Sequence, residues 1–321
     1  MNDFQVLPSI LYDVATVGDA YVEMRTTEST LPEASNFQRH IAGSAAQVAI
    51  YSAMLGMKSS CIASVGADAM GTYVQNTLRG HKVDVSGLQF SRDFPTSLLF
   101  AARSGRMLQT TYYRLADWQL HNTKEHVLIA QSSRIVHGTG FCLWKHPSRH
   151  SVFEILRLTK KFSSTTVLQP YYEPALWRDR NDAMTTIKKT LQFADICTPT
   201  IDDAEHLFGK ASREDYVKKY HDLGVDKVIL TMGRDGCLVS DGSKIVRVPA
   251  VDAKIIDPSG VNDAWHAGLY YAMNEGKELP NAAYFANAVG AFKLQQQGTL
   301  VVLPPADEIA DKFAHRPFDD I

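Results

Sequence analysis

The sequence predicts a three-layer α/β/α fold, with a mostly parallel central sheet and a small β-sheet lid. Three observations carry that expectation. Short β-branched runs alternate with longer stretches of helical apolar spacing, and such alternation builds a parallel sheet covered by helices on both faces. Residues 20–40 and 95–114 break the alternation. The chain has 321 residues, long for one compact core, so a large domain with a smaller annex, or two domains, is expected.

The elements follow in order. "YDVATVG" reads as a buried strand over 12–18, "SAAQVAIYSAML" as a helix over 44–55, and "SSCIASVG" as a strand over 59–66. "TSLLFAARSGRMLQTTYYR" holds two strand-like runs around Ser104 and Gly105, a hairpin signal. Antiparallel insertions of this kind form lids over sites in α/β enzymes; the plainer reading makes them edge strands of the main sheet. "RIVHGTG", "TTVLQ", "ADICTP" and "KVILTMG" give strands over 134–140, 165–169, 194–199 and 227–233. Helical patterns fall at 151–160, 182–192, 202–208 and 213–223. In "IIDPSGVNDAWHAGLYYAM" an apolar, strand-like run ends in Asp257, Pro258-Ser259-Gly260 makes a tight turn, and helical spacing opens at Asp263.

Composition narrows the function classes. Hydrophobic residues make up 45%, charged residues 21%, and the net charge is −2, ordinary globular values with no basic excess for nucleic acid or an anionic membrane. The four cysteines, Cys61, Cys142, Cys197 and Cys237, are far apart in sequence. They form no metal knuckle or redox pair and read as buried thiols of a reducing compartment. "MNDFQVLPSILYDV" lacks a basic n-region and a long apolar core, so neither a secretory signal nor a transit peptide is expected. "AAQVAIYSAMLGM" is too short and too polar to span a bilayer. A cytoplasmic protein is expected.

Ligands of open α/β sheets bind beyond the carboxyl ends of the strands. Two loops there stand out. In "LTMGRDG", Gly233 and Gly236 permit the close backbone approach that a nucleotide needs, though a plain turn uses glycines equally. No GxxxxGK[ST] occurs, which excludes a Walker-type phosphate loop. In "DPSGVND", the N–H groups of Gly260, Val261, Asn262 and Asp263 would face an anion at a helix entrance. The bland alternative makes Asp263 an N-cap.

The order of these motifs resembles the ribokinase-like (PfkB) carbohydrate kinase family. "TMGRDG", "IIDPSGVNDAWHAG" and "FANAVGAFKLQQQG" are similar to its C-terminal signature, D-T-x-G-A-G-D followed by a helix. "IAGSAAQVAIYSAMLG" resembles G-G-x-x-x-N-x-A, "SVGADAMG" resembles G-x-D-x-x-G, and "TPTIDDAEHLFG" lies where the family has N-x-x-E. The resemblance covers residues 12–305 and is nearest to the fructokinase and 2-keto-3-deoxygluconate kinase subgroup. It implies one ribokinase-like domain over 1–321 with the two insertions as lid, and a homodimer paired through that lid.

It further implies an ATP-dependent kinase acting on a small sugar, a neutral ketose being favoured. Asp263 would be the general base, with the backbone of Gly260, Val261, Asn262 and Asp263 as anion hole. Thr231, Gly233, Gly236 and Asn287 would line the ATP side. Thr200 and Asp203 would hold Mg2+ through water, and Asp257 and Ser259 a monovalent cation such as K+. Glu23, Gly43, Gln47, Tyr113, Arg114, Gln169 and Tyr171 would meet the sugar, with Asp117 as a further sugar contact.

The chain departs from the family pattern at several of these positions. Ala42 and Gln47 replace the first Gly and the Asn of the first signature; Thr200 and Asp203 replace the Asn and Glu of N-x-x-E. In "LQPYYEPALW", Gln169, Tyr171 and Glu173 stand for the Asp, Asn and Arg of D-P-N-x-R. Glu173 would repel a sugar acid, whereas Tyr171 and Tyr172 would stack on a sugar face or a base, or simply pack. Asn262 replaces a Gly and is expected to enter the left-handed region, with its side chain near the phosphoryl path. His266 reads as a packed helix residue. Two rivals follow: a nucleoside kinase of the same family, and a degenerate member that binds nucleotide or sugar without turnover.

Overall fold

The computed structural model describes residues 9–313 apart from 105, 106, 175 and 178. The chain opens with β1 (Tyr12–Gly18), β2 (Tyr21–Thr26) and β3 (Gln38–Ala42), then α1 (Ser44–Met54). β4 (Ser59–Gly66), α2 (Ala69–Gly80) and β5 (Leu88–Ser91) follow. β6 (Leu98–Ser104) and β7 (Met107–Tyr113) form the expected hairpin; Gly105 of its turn lies outside the described residues. Next come α3 (Lys124–Gln131), β8 (Ser133–Thr139), α4 (Ser148–Thr159), β9 (Thr165–Gln169), α5 (Arg180–Leu191), β10 (Ile196–Cys197), α6 (Ile201–Phe208), α7 (Arg213–Asp222) and β11 (Lys227–Thr231). β12 (Cys237–Ser240), β13 (Ile245–Val248), α8 (Val261–Asn274), α9 (Leu279–Leu294) and α10 (Ala306–Phe313) complete the series.

Nine strands make the large sheet in the order β13-β12-β11-β10-β9-β8-β1-β4-β5. Every pair from β5 to β11 is parallel; β11, β12 and β13 pair antiparallel. Successive strand residues face opposite helical layers, as the two-residue period of a strand requires. Ala15, Val136, Leu168 and Cys197 pack into one cluster with Leu156, Ile187 and Tyr220 of α4, α5 and α7. Their neighbours Val14, Ile135, Val167 and Ile196 pack into another with Tyr51, Leu269 and Val289 of α1, α8 and α9. Both faces are thus buried, which makes the third layer obligatory. The segments 20–40 and 95–114 supply a separate sheet, β3-β2-β6-β7, rather than edges of the main one.

Two local expectations fail. The strand expected over 194–199 shrinks to Ile196–Cys197, since Pro199 has no N–H with which to continue a ladder. The apolar run before Asp257 is not a strand. It crosses the end of α9, where Ile256 N–H donates to the Leu294 carbonyl at 2.8 Å, and Ile255 and Ile256 stay exposed. The four cysteines are buried and unpaired, and His266 is packed inside. No helix among the described residues is long and apolar enough to cross a membrane.

Candidate active site

A cavity of about 260 Å3 opens at the carboxyl ends of β1, β8 and β9, between the first turns of α1 and α8 and the small sheet. This is where a parallel sheet presents a ligand site. Of the residues expected to meet the sugar or the phosphoryl group, Glu23, Gly43, Gln47, Gln169, Tyr171 and Gly260 to Asp263 all line it.

Helix α8 begins at Val261, two residues before Asp263. Gly260 is its N-cap, in the left-handed conformation at φ 74° and ψ 7°. A Cβ there would lie 2.2 Å from the Thr299 carbonyl oxygen, so no side chain fits. Asp263 is therefore the third helical residue and not the cap. The expectation for Asn262 fails for the same reason: Gly260 makes the left-handed turn, and Asn262 is helical and exposed. Its carbonyl accepts from His266 Nδ1 at 2.7 Å, while its side chain reaches the cavity.

Asp263 Oδ1 accepts a 2.6 Å hydrogen bond from Ser44 Oγ. Ser44 Oγ also lies 3.2 Å from Gln169 Oε1, but one hydroxyl proton serves one acceptor at a time. Burial pushes the Asp263 carboxyl up to about 7, the Ser44 bond pulls it back, and the charge of Asp19 adds to the rise. A carboxylate poised there has the ordinary profile of a general base. Asp19, which sequence reasoning missed, is buried at the end of β1 and takes 2.6 Å and 2.9 Å bonds from Thr139 Oγ1 and Ser44 N. Its own carboxyl is raised by burial. Gly43 makes this approach possible: at φ 100°, its Cβ would meet the Asp19 carbonyl at 2.5 Å. The position just past a strand end was the available signal for Asp19.

Around the turn before α8 the structure places cations of its own. Arg25, also missed, donates to Asp257 Oδ2 at 3.0 Å, Glu23 Oε1 at 2.9 Å, Ser259 Oγ at 3.1 Å and Thr299 Oγ1 at 2.9 Å. Glu23 also accepts from Thr299 Oγ1 at 2.6 Å. Asp257 is buried, which alone would raise its carboxyl; bonds from Ser259 and Gly298 and the charge of Arg25 hold it down at about 2.

Other expected residues are placed elsewhere. On β7, Leu108, Thr110 and Tyr112 face the cavity, so Tyr113, one residue out of phase, points away and is 54% exposed. Arg114 is drawn aside by Asp117 and lies 3.9 Å over the Phe141 ring. Tyr171 packs edge-on to Phe141 in the cavity wall, whereas Tyr172 joins the core. Gln47 is buried and donates to the Ile41 carbonyl at 3.2 Å.

The residues expected on the ATP side do not join the cavity. Gly233 and Gly236 bracket a short turn after β11, with φ of 57° and 81°. Thr231 bonds to the Pro199 carbonyl through its N–H. Asn287 accepts from Trp265 Nε1 at 2.8 Å and donates to the Pro249 carbonyl at 2.7 Å, tying α9 to α8 and to the loop beyond β13. Thr200 and Asp203 form a capping box on α6. Asp203 Oδ2 accepts from Thr200 N and Oγ1, and Oδ1 from Tyr172 N. Burial raises its carboxyl. Both carboxylate oxygens of Asp203 are thus engaged within the fold. Among the described residues no cluster of three or more His, Cys, Asp or Glu suits a metal.

Fold and site together define a phosphotransferase that acts on a small hydroxyl-bearing acceptor. The chain belongs to the pfkB family of carbohydrate kinases, whose sequence model matches residues 12–306. It is 32% identical, over 97% of both chains, to an ATP-dependent 6-phosphofructokinase of Thermoanaerobacterium thermosaccharolyticum. Among solved structures it is similar to Halothermothrix orenii fructokinase, with 30% identity, a TM-score of 0.78, and 87% of this chain and 98% of that one covered. Its fold also matches Salmonella enterica aminoimidazole riboside kinase, complexed with aminoimidazole riboside and an ATP analogue, at 22% identity and a TM-score of 0.80 over 93% and 98% of the chains.

Proposed function

We propose that the chain phosphorylates a hydroxyl of a small neutral sugar, a ketose being favoured, at the expense of ATP. The charge of the cavity carries this reading. Asp19, Glu23 and Asp263 line it. Arg25, its one cationic described lining residue, already holds Glu23 and Asp257. Carboxylates accept hydrogen bonds from sugar hydroxyls and repel a sugar acid or a phosphosugar.

Asp263 accepts the proton of the attacking hydroxyl, and Ser44 orients its carboxylate. The first-turn N–H groups of α8 and its dipole stabilise the charge on the transferring phosphoryl. Thr231, Gly233, Gly236 and Asn287, around the turn after β11 and on α9, would hold the base side of ATP. Magnesium, when bound on the nucleotide, supplies charge neutralisation on the phosphates. Two copies pair through the small sheet, at whose edge Leu108 and Tyr113 are exposed; sedimentation velocity would reveal the dimer. A cytoplasmic setting suits the buried free thiols.

A nucleoside acceptor has one observation in its favour: Tyr21, Tyr112 and Tyr171 surround Phe141 within 5.2–6.1 Å, a wall on which a base would stack. An ADP-release assay over neutral sugars, sugar acids and nucleosides, with Asp263→Asn as control, separates the readings. No turnover above the control with any acceptor would reject the kinase proposal.

A further inference from the structure

The residues around Asp257 do not fit the monovalent cation that the sequence led one to expect. Potassium is held by oxygens that replace its hydration shell and face it directly. Here those oxygens already face N–H donors. Asp257 Oδ2 takes Arg25 Nη1 and Gly298 N, both at 3.0 Å. Asp257 Oδ1 takes Ser259 N at 3.0 Å, with Arg103 Nη2 at 3.7 Å. Ser259 Oγ takes Arg25 at 3.1 Å and Arg103 at 3.3 Å.

Two backbone carbonyls are engaged too. Lys293, in the last turn of α9, is fully buried. Its Nζ donates to the Asp257 carbonyl at 3.0 Å and lies 3.5 Å from that of Gln296. Two guanidinium groups thus gather on the Asp257 carboxylate and an ammonium on the carbonyl of the same residue; among the ion pairs of the described residues, only Arg25 of these three has a second acid, Glu23. A further cation would meet like charge and, at Asp257 and Ser259, side-chain oxygens that already accept bonds. An ammonium buried this fully is costly unless its charge is used or paired.

We propose that Lys293, with Arg25 beside it, supplies from within the chain the positive charge that a bound monovalent cation would bring to the turn before α8, so that turnover needs no potassium. Both side chains act through the turn: they fix Asp257 and Ser259, which set the path into Gly260 and the first turn of α8. They are positioning residues, not catalytic ones. The inference rests on the kinase reading for its kinetic readout alone; melting tests it independently.

The test compares the purified protein in tetramethylammonium chloride and in potassium chloride at equal ionic strength. The expected result is identical kcat/KM and identical Tm in both. A potassium-specific rise in either overturns the proposal, because an ion that binds only the folded state must raise Tm. Lys293→Met sharpens it. In potassium-free buffer kcat/KM should fall by ~10- to 100-fold, as for a lost charged hydrogen bond, and potassium should restore part of the loss. A fall that no cation relieves makes Lys293 merely structural and overturns its assigned role. If the variant does not fold, the wild-type comparison still decides. If no acceptor is turned over, the kinase reading fails and the melting comparison stands.

Discussion

The cavity proposed for the acceptor and the turn after β11 proposed for the nucleotide are built differently. At the acceptor end, side chains from seven separate elements or loops converge: Asp19, Glu23, Ser44, Tyr112, Gln169, Asp263 and Thr299 all face one cavity. Bonds from Ser44 to Asp19 and Asp263 and from Thr299 to Glu23, and the packing of Tyr112 on Phe141, hold them in place before any ligand arrives. At the nucleotide end the named side chains serve the fold instead. Asn287 ties α9 to α8, and Thr200 and Asp203 cap α6; what remains for a ligand is exposed backbone at a glycine turn. The contrast suits the chemistry. An acceptor hydroxyl must be aimed within a fraction of an ångström, which needs preorganised side chains, whereas a nucleotide can be gripped by backbone N–H groups.

The contrast predicts where substitutions strike. The largest effect belongs to Asp263→Asn, which should lower kcat by ~10²- to 10⁴-fold, the usual value of a general base. Its stability effect has the opposite sense. The folded-state carboxyl is raised to about 7, so its contribution to stability is present at low pH and is lost as pH rises through 7. Above that pH the variant should melt no lower than the parent, as calorimetry can check. The wild-type kcat/KM should rise with pH and level off above about 7, because only the deprotonated base works.

Ser44→Ala comes next. It removes the bond that pulls the Asp263 carboxyl down, so kcat/KM should fall ~10-fold and the limb of the pH profile should move upward. An unmoved limb would mean that Ser44 does not control the base. On β7, Tyr112→Ala should raise KM several times more than Tyr113→Ala, since only the former faces the cavity; equal effects would break the assigned register.

Asp203→Ala probes the other end. It should cost roughly 1–3 kcal/mol of stability, because the buried Tyr172 N–H loses its acceptor, with little change in magnesium dependence at saturating ATP. A steep rise in the magnesium requirement would instead assign Asp203 to the metal. Asn262→Gly should change least. Activity is kept or slightly raised, and stability falls by less than about 1 kcal/mol, because the residue is helical and glycine is the poorer helix former.

Much of this architecture was legible in the sequence. The strand–helix alternation fixed the layers, and "TTVLQ" and "SSCIASVG" became strands with the bounds expected. Burial on both faces makes such runs unambiguous. Glu23, Gln47, Gln169 and Asp263 were legible as cavity residues through motif position. What escaped was set by conformation or by long-range contact. The choice between Tyr112 and Tyr113 depends on strand phase, which an insertion does not reveal. The left-handed residue proved to be Gly260 because Thr299, 39 positions along the chain, closes over it. Arg25 reaches Asp257 across 232 residues, and nothing local announces that pairing.

The central claim is a base at Asp263 serving a neutral acceptor in an acid-lined cavity. The most direct measurement is kcat/KM, by ADP release, for a ketose and for the same ketose carrying a 6-phosphate. The account predicts faster turnover of the neutral ketose, abolished by Asp263→Asn. Faster turnover of the phosphorylated sugar would contradict it.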